Sequence, residues 1–401
     1  MKSFISLEEG IDILNKNVKN IGIEEVSLLT GIGRILSEDI FSKIDNPPFN
    51  KSAMDGYALI SADTEEEKKS LKVIDEVFAG SICESEVKRG TAVKIMTGAP
   101  IPIGADAVIK QEDVTFKDGF IKINKRLSFE ENICLKGEDI KKGTILVKKN
   151  KRLDYVDIGI LASSGISNVK VYKKPTVAFI STGDEVFDID KTLIGGKIYN
   201  SNKYTILGRL IELGYEVKYI EHENDSFIGI GDKLKKATEV ADLIITTGGA
   251  SVGEKDLIKE AIDYIGGEKL FWKINIKPGS AMLCSKYNEK IIISLSGNPT
   301  AALTTFELIG KTTLEKLSGE DKVEIKREKA ILTNEFKKKS PNRRFLRGTV
   351  TSDINGQKVN ITQIKSGNGI LSSALNSNCL IELEDGNEGV KVGDIVTIIK
   401  F

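Results

Sequence analysis

The feature that most constrains this chain is the alternation of short apolar runs with amphipathic segments between residues 176 and 317. The runs TVAFIST, ADLIITTGG and KIIISLSG have the composition of buried strands. Strands that alternate with helical segments of about 10–15 residues indicate a parallel, doubly wound sheet. Ligands bind such sheets at the carboxyl ends of the strands, near the point where the strand order reverses. We therefore expect the functional site of this region at that edge.

The helices of the same region carry recognisable start and stop signals. Gly214 stops a helix that begins near Asn202, and Pro299 opens one that runs to about Leu317. Between them, the pattern predicts a helix over residues 226–237 and another after Glu254. The spacing thus predicts four helices around the sheet.

Two β-rich regions flank this α/β region. From Pro48 to about Lys142 short strands alternate with turns, and from about Lys326 strands return, with Asn355–Gly356 as a hairpin signal. The stretch up to about Lys43 and the segment after Leu153 show helical spacing instead. We expect four domains: a discontinuous helical linker domain (1–45 and 143–172), an inserted β-rich domain (46–142), a doubly wound α/β domain (173–322), and a C-terminal β-barrel or sandwich (323–401).

Composition excludes several classes of function. The 58 basic and 58 acidic residues cancel, which argues against a general nucleic-acid binder. No apolar run is long enough to span a membrane, and the first residues lack the apolar core of a signal peptide. The four cysteines form no C-x-x-C pair, so four buried thiols in a reducing cytosol are expected rather than disulfides or structural zinc. The one histidine, His222, is expected at a strand end or on the surface.

Three glycine-containing loops follow the predicted strands. They are STGDE (181–185), TGGASVGEKD (247–256) and LSGNPT (295–300). Glycine leaves backbone N–H groups accessible, and a helix start adds a positive dipole, so together they suit phosphate. No loop is a Walker or G-x-G-x-x-G motif. The loops therefore indicate a phosphate or nucleotide site, with plain tight turns as the alternative.

Charged residues near these loops suggest a metal-assisted site. Asp184, Glu185 and Asp256 should meet at one rim of the sheet, and Lys273 and Lys277 should project to one face of a strand. Carboxylates beside a phosphate-bearing ligand imply Mg²⁺, which takes oxygen ligands. The alternative is a network of solvated surface salt bridges.

The β-rich region has three unusual stretches of its own. SAMDGYA places a lone acid, Asp55, in a small and apolar run; MTGAP presents the hydroxyl of Thr97 on a turn; and KGED contains Asp139. Taken alone, each stretch fits a structural role better than a catalytic one.

Seven motifs in order give the chain a clear resemblance. SAMDGYA, IMTGAP, KGEDI, STGDE, IYNSN, TTGGASVGEKD and SGNP resemble the MoeA family of molybdopterin molybdenumtransferases and the E domain of gephyrin. The match covers essentially the whole chain. It implies an elongated, four-domain, cytoplasmic homodimer with the active site between the doubly wound domain of one subunit and the β-rich domain of the other. The implied reaction inserts molybdate into adenylylated molybdopterin, with release of AMP, to give the molybdenum cofactor.

The resemblance also assigns residues. The implied catalytic residues are Asp55, Thr97, Asp139, Glu185 and Asp256, of which Glu185 and Asp256 would bind Mg²⁺. The implied substrate-binding residues are Thr182, Gly183, Asp184, Asn202, Asp225, Gly248, Gly249, Ser251, Gly253, Lys273, Lys277, Gly297, Asn298, Pro299 and Arg347. Implied partners are the molybdopterin adenylyltransferase and molybdoenzyme apoproteins or their chaperones.

Two departures from the family pattern stand out. The family usually has K-P-G-K-P where this chain has Lys277–Ala281 as KPGSA, and a proline is common where this chain has Ser296. The missing lysine affects how strongly an oxyanion is held and which oxyanion is held. A pterin adenylyltransferase, a tungstate-inserting enzyme and a gephyrin-like scaffold remain alternatives. A scaffold has no need of the acid set, and an adenylyltransferase alone would lack the SAMDGYA domain.

Overall fold

A computed structural model of the protein describes residues 1–65, 69–249, 257–354, 356–362 and 371–401. The chain forms two compact units: residues 1–24 with 172–401, and residues 25–171. The strands up to residue 172 are β1 Lys2–Ile5, β2 Ile23–Ser27, β3 Ile40–Phe41, β4 Lys51–Ser52, β5 Gly56–Leu59, β6 Ser70–Val77, β7 Thr91–Ile95, β8 Ala107–Lys110, β9 Val114–Lys117, β10 Phe120–Ile123, β11 Ile133–Cys134, β12 Ile145–Val147 and β13 Asn168–Tyr172.

The later strands belong to the α/β region and to the C-terminal region. They are β14 Val177–Thr182, β15 Val186–Phe187, β16 Ile198–Tyr199, β17 Val217–Glu223, β18 Leu243–Thr247, β19 Glu268–Ile274, β20 Ile276–Lys277, β21 Leu283–Tyr287, β22 Lys290–Leu295, β23 Glu328–Leu332, β24 Arg343–Asp353, β25 Gly356–Ile361, β26 Cys379–Leu383 and β27 Ile395–Lys400. The α-helices are α1 Leu7–Asn17, α2 Tyr155–Ser163, α3 Ser201–Glu212, α4 Phe227–Val240, α5 Leu257–Tyr264, α6 Pro299–Thr305 and α7 Lys311–Leu317.

The larger unit is built on a seven-stranded sheet in the order β1-β19-β21-β22-β18-β14-β17. All neighbours pair in parallel except β21, which is antiparallel to both β19 and β22. Strands β14 and β18 are buried at every residue, as expected for strands covered by helices on both faces. The doubly wound prediction is confirmed, with one antiparallel strand added.

Helices cover both faces of this sheet. One core contains α1, α3 and the segment from α6 to α7, and the other contains α4 and α5. Helix α3 begins where the side chain of Asn200 accepts a hydrogen bond from the N–H of Lys203, at 3.0 Å. It ends before Gly214, whose φ of 70° suits a helix stop. Helices α6 and α7 are joined by a π-helical turn, Phe306–Gly310, so the predicted helix from Pro299 to Leu317 is confirmed.

The helix predicted from the first residues to about Lys43 is largely wrong. Only α1 is helical, and Ile5 lies in β1, which pairs with β19. The apolar positions Leu7, Ile11 and Leu14 do face a core, but it is the core of the α/β sheet. Gly22, with a φ of 106°, directs the chain into strand β2 instead of a second helix. The four-domain division itself stays a prediction.

The C-terminal region is a barrel. Strands β24, β25, β23, β27 and β26 pair in that order, and β24 also pairs with β26, which closes five strands on themselves. Strands β24 and β25 pair antiparallel with Asp353 opposite Gly356, the pairing expected of the predicted hairpin; Asn355 itself lies outside the described residues. Strand β20 adds to β24 outside the closed ring. Of the two architectures predicted, barrel or sandwich, the barrel is therefore the correct one.

Within the smaller unit, residues 46–142 are β-rich, as predicted, whereas the segment 143–172 predicted as helical contains strands β12 and β13 besides α2. The six-stranded sheet of this unit has the order β8-β5-β7-β6-β10-β9, and α2 begins with a capping box at Asp154. Across the described residues, no helix combines the length and apolar character needed to cross a membrane. All four cysteines are free thiols; Cys284 and Cys379 are buried, while Cys83 and Cys134 are only half-buried.

Candidate active site

An open pocket lies at the carboxyl ends of β14, β18 and β22. The space within it, including open solvent at its mouth, is about 400 Å³. It is lined by Ser181, Thr182, Glu185, Val186, Ile198, Tyr199, Asn200, Ser201, Asn202, Thr247, Gly248, Gly297 and Pro299. Six of these residues were predicted individually as site residues. Of the other seven, all but Val186 lie within the STGDE, IYNSN and TTGGASVGEKD motifs without having been singled out.

Two glycines bring backbone close together at this pocket. Gly248 has a φ of 91°, and a Cβ atom at this position would come within 2.4 Å of the carbonyl oxygen of Thr182. Gly183 has a φ of 125°, where a Cβ would meet a carboxylate oxygen of Glu185 at 2.7 Å. Only glycine fits both positions. The loops can therefore bring main-chain groups close to a ligand, as predicted for a phosphate site.

The first turn of helix α3 forms one wall of the pocket. Asn200 caps the helix, and the side-chain amide of Asn202 donates a hydrogen bond of 2.9 Å to the carbonyl oxygen of Gly297. This bond ties the helix start to the loop after β22. Because a helix N-terminus carries partial positive charge, it favours an anionic group in the pocket.

Three carboxylates lie on the acidic side of this edge. The N–H of Asp225 donates to a carboxylate oxygen of Asp184 at 3.1 Å. The pKa of Asp225 is raised by burial and then by the negative charges of Asp184 and Glu185. This mutual repulsion is a cost that a bound cation would offset.

The carboxylates at this edge suit a Mg²⁺ ion that is held partly by the protein and partly by phosphate oxygens and water. Among the described residues, no three His, Cys, Asp or Glu side chains form a complete metal cage. Mg²⁺ does not need one, since one or two carboxylates with phosphate oxygens and water usually hold it. Glu185 lines the pocket beside Asp184 and can supply such a ligand. The predictions for Ser251, Gly253 and Asp256 lie outside the described residues.

His222 lies near the carboxyl end of β17, as expected. Its Nδ1 atom is 3.0 Å from the hydroxyl of Ser181. Burial lowers the pKa of the imidazole, so the ring is neutral at neutral pH. His222 therefore contributes a hydrogen bond to the pocket wall rather than a charge.

Lys273 and Lys277 do not share the face of one strand, so that prediction is wrong. Lys273 ends the regular part of β19 with a φ of 61° and is 8% exposed, whereas Lys277 is exposed in β20. Strand β20 pairs with the barrel strand β24 instead of continuing the α/β sheet. A Cβ at Gly279 would come within 2.6 Å of Thr305, so the loop after Lys277 must pass close to α6.

Arg347 faces a second pocket, between α3, the π-helical turn and the barrel. The space within it, including open solvent, is about 670 Å³, and Arg347 is 2% exposed. Its two terminal nitrogens have no hydrogen-bond partner among the described residues. Burial lowers its pKa to about 10. Two acids line this pocket, and both are paired with Arg209: Glu307 through bonds of 2.7 and 3.3 Å and Glu212 through one of 3.1 Å. Within the described part of the chain, neither is bonded to the terminal nitrogens of Arg347.

The β-rich unit brings Asp55 and Thr97 together. Both the N–H and the hydroxyl of Thr97 donate to one carboxylate oxygen of Asp55, each at 2.7 Å. These bonds lower the pKa of Asp55. The next residue, Gly56, has no room for a side chain, because a Cβ would come within 1.9 Å of the carbonyl oxygen of Ile109. An exposed, ionised acid is thus fixed at the start of β5.

Asp139 is held separately within the same unit. Its carboxylate accepts a hydrogen bond of 3.2 Å from the side chain of Asn46, and it is exposed. Among the remaining predicted residues, Gly249 lies next to the pocket, since a Cβ there would meet the hydroxyl of Thr182 at 3.1 Å. Asn298 caps α6 by accepting from the N–H of Thr300 at 3.1 Å.

Comparison with protein families assigns each region of the chain. Residues 5–165 match the MoeA N-terminal region (domains I and II), and residues 329–401 match the MoeA C-terminal region (domain IV). Residues 178–316 match a family described as a probable molybdopterin binding domain. The doubly wound fold and its pocket thus define an α/β domain of the molybdopterin-binding class.

Full-length relatives agree with these matches. A molybdopterin molybdenumtransferase of Staphylococcus epidermidis is 38% identical over 98% of this chain and 95% of its own length, and one of Staphylococcus aureus is 36% identical over the same shares. Two crystal structures of a molybdopterin biosynthesis MoeA protein from Pyrococcus horikoshii superpose with TM-scores of 0.85 and 0.81. Their sequences are 33% and 31% identical to this one. Each covers 99% of this chain, and this chain covers 98% and 100% of theirs. The chain belongs to the MoeA family.

Proposed function

We propose that this protein is a molybdopterin molybdenumtransferase that converts adenylylated molybdopterin and molybdate into molybdenum cofactor and AMP. The observation that carries the proposal is the pocket at the sheet edge, where Gly248 exposes backbone, α3 presents its N-terminus and Glu185 supplies a carboxylate. This combination suits a phosphoanhydride. The matched relatives carry the same name as the activity proposed here.

The pocket orients the phosphoanhydride by backbone and dipole. The start of α3 and the loop at Gly297 are tied together by Asn202, so their donors keep a fixed geometry. Fixed donors stabilise charge that develops on phosphate oxygens when AMP leaves. Glu185, with Asp184 beside it, would hold Mg²⁺, which supplies charge neutralisation at the phosphate when it is bound.

Asp55 suits the role of proton acceptor. When the dithiolene replaces a molybdate oxygen, two S–H groups are lost and the oxygen leaves as water, so two protons must move from sulfur to oxygen. Thr97 lowers the pKa of Asp55, so this carboxylate stays ionised and is a weak base. It suits a relay that passes each proton on to the leaving oxygen instead of keeping it. Asp139 is the second acid we assign to this transfer. Neither carboxylate can hold molybdate, because like charges repel.

Arg347 is the cation we assign to the oxyanion. Its terminal nitrogens lack acceptors within the described part of the chain and are buried beside an open pocket. A tetrahedral dianion such as molybdate or tungstate can accept two hydrogen bonds from one guanidinium. The loss of one lysine in KPGSA increases the need for such a cation.

Replacing Arg347 with methionine is expected to weaken molybdate binding by about 10- to 100-fold, the usual value of a charge-assisted hydrogen bond. Calorimetric titration with molybdate measures the change. The matched control is Arg344→Met, since Arg344 is also buried in β24 but contacts the ring of Phe336 in the barrel. The control should bind molybdate normally. Equal losses in both variants, or none in either, would remove Arg347 from the oxyanion site.

We also propose that the protein works as a homodimer, as its resemblance to the family implies. Asp55→Ala and Glu185→Ala subunits should each be inactive alone, while their heterodimers should recover part of the activity by keeping one intact site. Co-expression with two different tags isolates the heterodimer for assay. A complete absence of activity in proven heterodimers contradicts a site shared between subunits.

The direct test incubates the protein with adenylylated molybdopterin, Mg²⁺ and either molybdate or tungstate in the cytoplasmic pH range, and follows AMP release and cofactor formation. Release that depends on the oxyanion supports the transferase. Formation of adenylylated pterin from ATP would indicate an adenylyltransferase instead, and ligand binding without turnover would indicate a scaffold. Product transfer to a molybdoenzyme apoprotein, and substrate supply by the adenylyltransferase, are the partner interactions we assign to this chain.

A further inference from the structure

An aromatic–lysine cluster lies at the β1–β19 edge of the α/β sheet. The ammonium of Lys273 is 3.8 Å from the ring centre of Trp272 and 4.9 Å from that of Phe4. The two rings meet edge to face, with centres 6.2 Å apart. Lys259 of helix α5 also lies over the ring of Trp272. Two aromatic rings and two lysines thus share one site.

Lys273 has an unusual environment for a lysine. The residue is only 8% exposed, and its ammonium lies against the faces of two aromatic rings, Trp272 and Phe4. Ring faces attract the ammonium and hold it on one side. An anionic group that reaches the open side of this ammonium would gain a charge-assisted contact with it.

The backbone is distorted on both strands at this point. The register pairs Ser3 with Trp272 and Ile5 with Ile274, so Phe4 lies opposite Lys273. Phe4 has a φ of 54° and Lys273 a φ of 61°, a region that bulky residues rarely occupy. Strain of this kind persists where surrounding structure enforces it, and it clusters at functional sites. Phe4 and Lys273 lie opposite each other and share this unusual backbone conformation. The shared conformation holds their two side chains side by side.

The position of the cluster connects it to the active edge. Strand β19 runs in the same direction as β22, because β21 is antiparallel to both. Lys273, one residue before the end of β19, is therefore at the carboxyl edge on which the pocket of β14, β18 and β22 opens. Phe4 is 63% exposed, although burying an aromatic ring would be favourable.

We propose that Phe4 and Trp272 are positioning residues that hold the ammonium of Lys273 at this edge for an anionic group of the pterin substrate. The inference rests on the proposed function. Phe4 covers the lysine from the neighbouring strand, Trp272 covers it from its own strand, and the paired positive φ angles fix the geometry. Loss of the Phe4 ring leaves the charge in place but lets it move into solvent.

The test uses the full chain and two readouts. In Phe4→Leu, which keeps apolar cover without a ring, KM for adenylylated molybdopterin should rise about 3- to 10-fold with little change in kcat. Competitive acetylation, read by peptide mass spectrometry, should show faster labelling of Lys273 relative to the exposed Lys236. Phe4→Tyr keeps the ring and should restore both values. Phe4→Gly, which accepts the positive φ without strain, should lose binding although it folds.

The outcomes separate this inference from the proposed function. Unchanged KM and labelling in Phe4→Leu, or failure of Phe4→Tyr to restore them, overturns the positioning role. If the wild-type protein releases no AMP, the proposed function falls, and the labelling comparison alone decides whether the rings shield Lys273. If Lys273→Met raises KM while Phe4→Leu does not, the lysine binds substrate without the rings positioning it, which also overturns the inference.

Discussion

Replacing Glu185 with glutamine is expected to lower the turnover of adenylylated molybdopterin by about 100- to 1,000-fold while the melting temperature stays within a few degrees. Glu185 lines the pocket on a loop and is exposed to solvent, so a nearly isosteric change has little effect on packing. The lost negative charge, however, removes the ligand we assign to Mg²⁺. AMP release measured at several Mg²⁺ concentrations checks the prediction.

The matched control for this variant is Glu239→Gln, an exposed acid on helix α4. Its turnover should equal that of the wild type at every Mg²⁺ concentration. Normal activity in Glu185→Gln would instead show that the acids at this edge form a solvated surface network. A loss that excess Mg²⁺ fully restores would limit the role of Glu185 to metal affinity.

Replacing Glu382 with alanine is expected to lower the free energy of unfolding by about 3 kcal/mol, because it leaves two arginines without their buried partner. Glu382 is 3% exposed in strand β26. Its carboxylate accepts a bond of 2.6 Å from Arg327 and pairs with Arg343. Glu8 at the start of α1 contacts the same two arginines, at 2.8 and 2.7 Å, and this remaining acid keeps the loss near the lower end for a broken buried pair.

Urea unfolding of the two proteins measures this change. Glu388→Ala, which removes an exposed acid paired with Lys339, is the control and should alter stability by less than about 0.5 kcal/mol. An equally small effect in Glu382→Ala would mean that Arg327 and Arg343 are satisfied by Glu8 and solvent alone.

The sequence predicts the α/β core well because its signals are local. The apolar runs of β14 and β18 are long enough to indicate buried strands, and a glycine follows each of them. The sequence therefore indicates both the strand and the loop after it. Asn298 and Pro299 specify a helix start by capping and by a fixed φ. Parallel strands place their following loops at one edge, which is why Thr182, Glu185 and Gly248 could be predicted to meet.

What the sequence did not predict depends on contacts between distant residues. Ile5 fits a helical spacing with Leu7, Ile11 and Leu14, yet it pairs with a strand that begins more than 260 residues later. Strand β19 belongs to the α/β sheet, whereas β20 pairs with the barrel strand β24, so Lys273 and Lys277 lie in different sheets. The alternation of side chains along one strand cannot reveal such a change of sheet. The cluster of Phe4, Trp272 and Lys273 requires both the long-range pairing and two unusual φ angles, neither of which has a local signal.

The pairing of β1 with β19 also constrains the order in which this chain can fold. Lys2 pairs with Phe271 and Ile5 with Ile274, so the strand of this sheet that is synthesised first waits for β19, the fifth of its seven strands in chain order. At roughly 5–20 residues per second, that wait lasts on the order of tens of seconds. Residues 25–171, a compact unit of their own, are synthesised in the interval. Until β19 emerges, β1 has an apolar side chain and unpaired backbone groups without their native partners, and in a cell this is the interval in which a chaperone would have a segment to bind.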